Sequence, residues 1–393
     1  MRAVQAMIVL GHGFADAEPL PFPAPLLLLG GTDVVLAATA ITSQHSRPVP
    51  ALARTLGPGA TLVLRVLAVA LLLAIVLPAV LAPADLALNA APRLLFTVAW
   101  AGLLLVSGLL GPLWVRANPL RWAAGPTNTD LFARVGVRPA VAALIGFTIA
   151  EQLFEPTPLV VLCVVGLYVV GTFGGAIAYG TAWFRAVDPV ETASRLVGRL
   201  APIGRQGRAV VARRVRAGVA GTGAVPGMAA FLGVLIGASL YDALEASGSV
   251  GTRALLLGGT LLAAGGFATV AARPVILAPA LIPAAAAHLG THYLAPLLVD
   301  TQIAVIQLSD PFAKGWNLLG LTGTEVIAEP IPPIAGQVLQ LVILLAGHGL
   351  AMAVANDIGA RRMEPSKVAA ALFPLRAAIL ASLLAGIYLW LVV

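Results

Sequence analysis

The sequence predicts an all-α protein, a polytopic transmembrane helix bundle of about ten spans. Three observations carry this. Apolar residues make up 59% of the 393 residues and charged residues 10%, with a mean hydropathy of +0.96. So few charges cannot cover the surface of a water-soluble protein of this size. Apolar stretches near the roughly 20 residues that cross a bilayer recur along the whole chain. Arginine and lysine collect in alternate loops, as the positive-inside rule expects.

In chain order, residues 1–24 (MRAVQAMIVLGHGFADAEPLP and on) hold an apolar run too short for an ordinary signal-peptide core. They are expected to form an external N-terminal arm, and residues 25–393 a single integral membrane domain. The expected spans are Pro25–Thr42, Ala60–Leu81, Leu94–Trp114, Pro139–Leu153 with a polar extension, Pro158–Tyr179, Val225–Leu244, Ala254–Ala272, Val275–Val299, Ala335–Ala355 and Val368–Val393. The eighth is the least regular. Its apolar stretch runs on to Leu308 and contains Pro296, so two arrangements are open. Either the span ends near Pro296 and Ile303–Leu308 lies on the outer surface, or the helix breaks inside the membrane as in many transporters.

Arg47 and Arg54 follow the first span, Arg116, Arg121, Arg134 and Arg138 the third, Arg273 the seventh, and Arg361, Arg362 and Lys367 the ninth. The loop after the fifth carries Arg185, Arg195, Arg199, Arg205, Arg208, Arg213, Arg214 and Arg216. All these loops fall on one side of a ten-span chain. That predicts both termini extracytoplasmic and residues 184–222 as an Arg-rich cytoplasmic loop. Within that loop ETASRLVGRLAPIGR has roughly helical spacing, which suits either an amphipathic helix on the inner leaflet or simply a loop retained inside by its charge. Arg376, inside the tenth span, is expected to snorkel inward. Trp114, Trp183 and Trp390 near span ends suggest an interfacial belt. No nucleic-acid motif accompanies the arginines, so the lipid bilayer and a small solute or metal ion are the expected partners. The single Cys163 excludes an internal disulfide framework.

The candidate chemistry gathers around the eighth span. His288 and His292 stand one helical turn apart on one face, followed by Tyr293, Asp300 and Gln302. His348 lies in the ninth span, and sequence neighbours often pack together. Three imidazoles from two helices suit copper or zinc. The alternative is that each histidine makes an interhelical hydrogen bond. The zincin pattern fails because residue 289 is Leu. Asp33 in the first span and Glu151 in the fourth are deep enough to be costly in a bilayer unless they meet partners. Together with the histidines they predict a polar cavity open to the outside. Asp242 and Glu155 are expected to sit solvated at the water interface. His12 belongs to the arm and His45 to a loop. The glycines of GTFGGAI and LLGGT read as close helix packing.

HG near the start, NPLRW, THYLAPLLVDTQ, SDPFAKGWNLLG and AGHGLAMAVAND together resemble a polytopic membrane-protein family of actinobacteria labelled fenitrothion hydrolase. The H-x-x-x-H-Y pattern of that family is matched by His288, His292 and Tyr293, and its S-D-P-F element by Ser309, Asp310, Pro311 and Phe312. A further histidine of the family is replaced here by Asn356. The resemblance implies hydrolysis of organophosphate triesters, with a metal-activated water held by His288, His292 and His348 and Asp300 as base. Three functions follow as expectations: binding or transport of a metal ion or small solute, a membrane-embedded metal-dependent hydrolase, or a structural subunit of a membrane complex. For the first, Glu151, Asp33, Tyr293, Gln302 and Asp310 are the binding candidates.

Overall fold

A computed structural model of the protein describes residues 23–40, 49–127, 135–244 and 249–391. His12, His45 and Arg47 lie outside the described residues, as does the N-terminal arm apart from its last two residues. The described chain is almost wholly helical. We number the principal helices α1 (Ala24–Ala37), α2 (Pro58–Leu81), α3 (Ala91–Leu110), α4 (Arg138–Leu153), α5 (Pro158–Tyr179), α6 (Pro189–Val197), α7 (Met228–Ala243), α8 (Val250–Ala271), α9 (Ile282–Ser309), α10 (Pro333–Arg362) and α11 (Pro365–Leu391). Proline opens α2, α5, α6, α10 and α11, where its missing N–H would have had no helical partner. Thr157, Asp188 and Ser249 cap α5, α6 and α8 through their side-chain oxygens.

Among the described residues seven helices are long and apolar enough to cross a membrane: α2, α3, α5, α8, the stretch Val275–Ser309 that contains α9, α10 and α11. The helices at the expected first, fourth and sixth spans are shorter, at 14 residues for α1 and 16 each for α4 and α7. The eighth stretch follows neither expected arrangement. A 3₁₀ turn over Val275–Leu281 passes into α9, which continues through Pro296 to Ser309. Ile303 and Ala304 are buried rather than lying on a surface.

The Val275–Ser309 stretch is the centre of the bundle. Of its most apolar window 83% is buried, against 6% for α2, so α2 is peripheral. The larger core joins α1, α4 and α7 to α11 around the first half of α9. A second apolar cluster joins α2, α3 and α5, and Ala304 from the far half of α9 belongs to it. One helix thus stitches two packing units together.

The expected amphipathic helix exists as α6 but does not lie on a leaflet. Glu191, Thr192, Ala193, Ser194, Leu196 and Val197 are all buried. Ser194 meets Ser107 of α3 at 2.9 Å and accepts from the Trp114 N–H at 3.1 Å. An antiparallel hairpin follows, β1 (Ile203–Gln206) and β2 (Ala209–Ala212), so the Arg-rich loop is folded. Half-buried Trp114 donates its indole N–H to Tyr168 at 3.0 Å. Arg376 donates to Asn356 Oδ1 at 2.6 Å, toward the end of α10 that carries Arg361 and Arg362.

A tight joint sets the level of two helices. Gly136 and Gly227 take φ of +62° and +84°, conformations that favour glycine. Val137 N–H bonds to Pro226 O at 2.9 Å. α4 and α7 therefore start side by side. Glu151 is 13 residues along α4 and Asp242 is 14 along α7. At 1.5 Å per residue both carboxylates stand about 20 Å from the joint, at one depth.

Candidate functional site

At that depth α9 presents His292 and Tyr293. His292 Nδ1 lies 3.1 Å from Asp242 Oδ2, with only 5% and 7% of the two side chains exposed. The Tyr293 hydroxyl donates to Glu151 Oε1, and the Trp100 indole approaches the same hydroxyl. The His292 and Tyr293 rings meet edge-on at 4.2 Å. Four helices, α3, α4, α7 and α9, thus bring a carboxylate, an imidazole, a phenol and an indole to one cavity, with Asp242 backing the imidazole. It is lined by Trp100, Thr148, Glu151, Gln152, Ser239, His292 and Tyr293 with apolar neighbours and holds about 10 Å³, room for about one water molecule. At its rim Arg253 of α8 donates to the Gln152 carbonyl.

The α3 wall is unusual in its backbone. Leu94–Gly102 is π-helical, a conformation that is rare and concentrates at functional sites. It carries Trp100 into the cavity and Thr97 to Asp300.

Asp242, expected to be solvated, is instead buried against His292. Asp33, expected in the site, is exposed on α1 and does not line the cavity. Asp300 is two turns beyond His292 on α9. It faces Arg93, whose Nε is 3.4 Å away, and accepts from Thr97 at 2.8 Å. It serves an ion pair rather than standing as a free base beside the histidines. Gln302 bonds to both the N–H and the carbonyl of Ile327, at 3.1 and 3.2 Å, and so straps the 310–332 segment to α9. Asp310 accepts the N–H groups of Lys314 and Gly315 at 2.9 and 2.8 Å. Ser309 and Asn317 bond at 2.9 Å in the same turn. The S-D-P-F element is therefore a loop scaffold.

The three candidate metal ligands divide. His288 and His348 do pack together, edge-on at 5.2 Å between ring centres. His348 has both nitrogens engaged, with Leu344 O at 2.8 Å and Ser382 Oγ at 3.0 Å. His288 is fully buried, and neither of its nitrogens has a partner at hydrogen-bond geometry, although the Ser382 backbone is close by. His292 turns to Asp242. No group of three histidine, cysteine or acidic residues among the described residues is arranged to hold a metal ion.

A second polar cluster escaped the sequence. Asp188, which caps α6, accepts from Tyr168 at 2.9 Å, from Asn118 at 3.2 Å and from Glu191 N–H at 2.9 Å. Glu191 is gripped by Arg121 at 2.6 Å. Burial, then the Glu191 charge, pushes the Asp188 carboxyl up to about 7, against the hydrogen bonds that favour its charged form. The only sequence signal was the D-P-x-E start of α6, which marks a cap and not its burial.

Comparison with protein-family models, with curated proteins and with solved structures finds no match to the chain. Its activity is therefore argued from the site.

Proposed function

We propose that the protein is a ten-span protein of a prokaryotic plasma membrane, termini outside, that binds and moves a small cationic solute or metal ion through the His292 cavity. One observation carries this reading. Glu151 lines a small cavity with His292 and Tyr293, and Asp242, from a separate helix, backs His292; each acid is costly to place at bilayer depth. One acid, an imidazole paired with a second acid, and two aromatic faces suit a cation. The arginine-rich loops support the orientation. The cavity has room for roughly one water, so a larger solute enters when α4 and α7 part from α9, a rigid-body gating step common in transporters.

The hydrolytic alternative needs a metal shared by three imidazoles and a base. His348 is committed to Leu344 and Ser382, and Asp300 to Arg93 and Thr97, so the geometry favours binding. The test is uptake of labelled zinc and labelled methylammonium into proteoliposomes, beside Glu151→Gln and Asp242→Asn. Uptake of either by the parent, lost in both variants, is expected. Parent vesicles no faster than protein-free vesicles for both probes, with neither bound to the purified protein, would overturn the proposal.

A further inference from the structure

The hairpin end of the fold gathers cations without matching anions. Arg54 lies in the 3₁₀ turn Leu52–Thr55, Arg199 follows α6, and Arg213 follows β2. A bridge between Ala51 and Gly204 ties the first of these segments to the hairpin, as does the Arg205 N–H bond to Pro50 O at 3.1 Å. Arg213 lies along Gly204, where a Cβ would stand 2.5 Å from its Cγ. A Cβ on Gly218 would stand 2.8 Å from Arg213 Nη2 and 3.1 Å from the Arg199 carbonyl. The segments bearing these arginines are thus pressed into one corner.

The corner lacks a counter-charge among the described residues. Arg213 donates Nε to Val49 O at 2.8 Å and Nη1 to Ala201 O, both neutral acceptors. Arg199 is partly buried and its guanidinium has no ion pair or hydrogen bond among the described residues. Arg205 Nε is buried without a hydrogen-bond partner among the described residues. The nearby acid, Glu191, is already taken by Arg121 at 2.6 Å, with Arg195 at 3.9 Å. Burial, then the charges of Arg54, Arg213 and Arg195, lowers Arg199 to about 10. Partly burying like charges together is unfavourable unless an anion offsets them.

We propose that Arg54, Arg199 and Arg213 form a binding site for a phosphate group, carried by an anionic phospholipid or by a free phosphate. Guanidinium forks match phosphate oxygens in geometry and charge. The surroundings are those of a membrane interface. Arg116 reaches the Arg54 carbonyl at 2.8 Å, and Arg65 reaches the Arg116 carbonyl at 3.3 Å. Arg65 in turn lies over the ring of Trp122 at 5.2 Å, and that tryptophan is 58% exposed. Exposed tryptophan beside arginine marks headgroup depth, where basic pockets hold anionic lipids.

The experiment uses the full chain, delipidated in detergent and titrated with phosphatidylglycerol or phosphatidylcholine under native mass spectrometry. A parallel arm adds inorganic phosphate against chloride at equal ionic strength and reads thermal unfolding. Arg54→Gln/Arg199→Gln should retain phosphatidylglycerol about tenfold less well, from the loss of charge-assisted hydrogen bonds, with phosphatidylcholine unchanged. Arg208→Gln, at the exposed hairpin tip, should match the parent. Lipid retention that free phosphate does not displace identifies the lipid as source; stabilisation by phosphate without selective lipid retention identifies the free anion. If the double variant does not fold, phosphate and lipid binding to the parent alone decide. A parent that neither prefers phosphatidylglycerol nor responds to phosphate overturns the site, as does a folded double variant that binds both like the parent.

Discussion

Gly233→Ala should loosen the helix pair that holds Asp242 against His292. α7 carries Gly233 and Gly237 four residues apart, and both face α8. A Cβ on Gly233 would stand 2.5 Å from Ala264 O, 2.8 Å from Ala268 Cβ and 2.8 Å from Gly265 Cα. Carbon contacts are comfortable at about 3.5–4.0 Å, so α7 must retreat by roughly 1 Å, and gaps of that size forfeit a quarter to a half of each dispersion contact. No rotamer change relieves it, because the opposing atoms are backbone or Cβ. Overpacking of this kind costs about 1–3 kcal/mol. Alanine also gains about 1 kcal/mol over glycine in helix propensity, so a control must carry the same gain. Gly258→Ala on α8 supplies it, since a Cβ there meets nothing within 4 Å. Reversible unfolding in mixed micelles, followed by tryptophan fluorescence, should place Gly233→Ala about 1–3 kcal/mol below Gly258→Ala. A 1 Å shift of α7 also disturbs the 3.1 Å contact between Asp242 and His292, so solute uptake should fall in Gly233→Ala alone. Equal stability of the two variants would refute the packing argument. Equal uptake with unequal stability would refute the link from α7 to the site.

Other outcomes follow from the polar groups. The Asp188 carboxyl titrates near 7 in the folded chain and near 3.9 when unfolded. Its contribution to stability is therefore greatest below about pH 4 and declines as pH rises to about 7, by a few kcal/mol. Asp188→Asn should flatten that decline in unfolding midpoints measured from pH 5 to pH 8; an unchanged slope would contradict it. Arg216 grips Asp357 with two bonds, of 2.6 and 2.7 Å. Arg216→Ala should cost about 3 kcal/mol, at the low end for a buried pair because Arg361 remains near, and Arg216→Ala/Asp357→Asn should recover part of it. Asp300→Asn should destabilise the bundle by stranding Arg93 while leaving solute affinity intact. Lost affinity at unchanged stability would return Asp300 to the site.

The structure bears out the legible parts of the sequence where one local signal sufficed. Pro158–Tyr179 begins and ends as expected, because proline punctuates its start and a Gly at φ +62° its end. The expected pairing of the eighth and ninth spans appears in the contact between His288 and His348. Gly31 of LLGGT packs closely, with a Cβ 2.8 Å from Ile387 Cδ1, but Gly30 beside it and Gly174 of GTFGGAI meet nothing within 4 Å. Which glycine of a pair faces a neighbour depends on helix rotation, and the nearly uniform apolarity of these helices leaves little pattern to read it from.

By itself, then, the sequence determined that this chain is helical and suited to a bilayer, because hydropathy is a property of composition and length. It also placed Glu151, His292 and Tyr293 among the groups to watch, because polar residues stand out against an apolar background. Only the tertiary structure decided which of those groups meet. Asp242 joins His292 because a glycine joint aligns the starts of α4 and α7. Asp300 leaves for Arg93, a residue 207 positions away in the chain. Asp33 turns outward, and α6 goes inside rather than onto a leaflet. Each outcome rests on helix rotation and long-range register, quantities set by side-chain fit between helices and not written in any one of them.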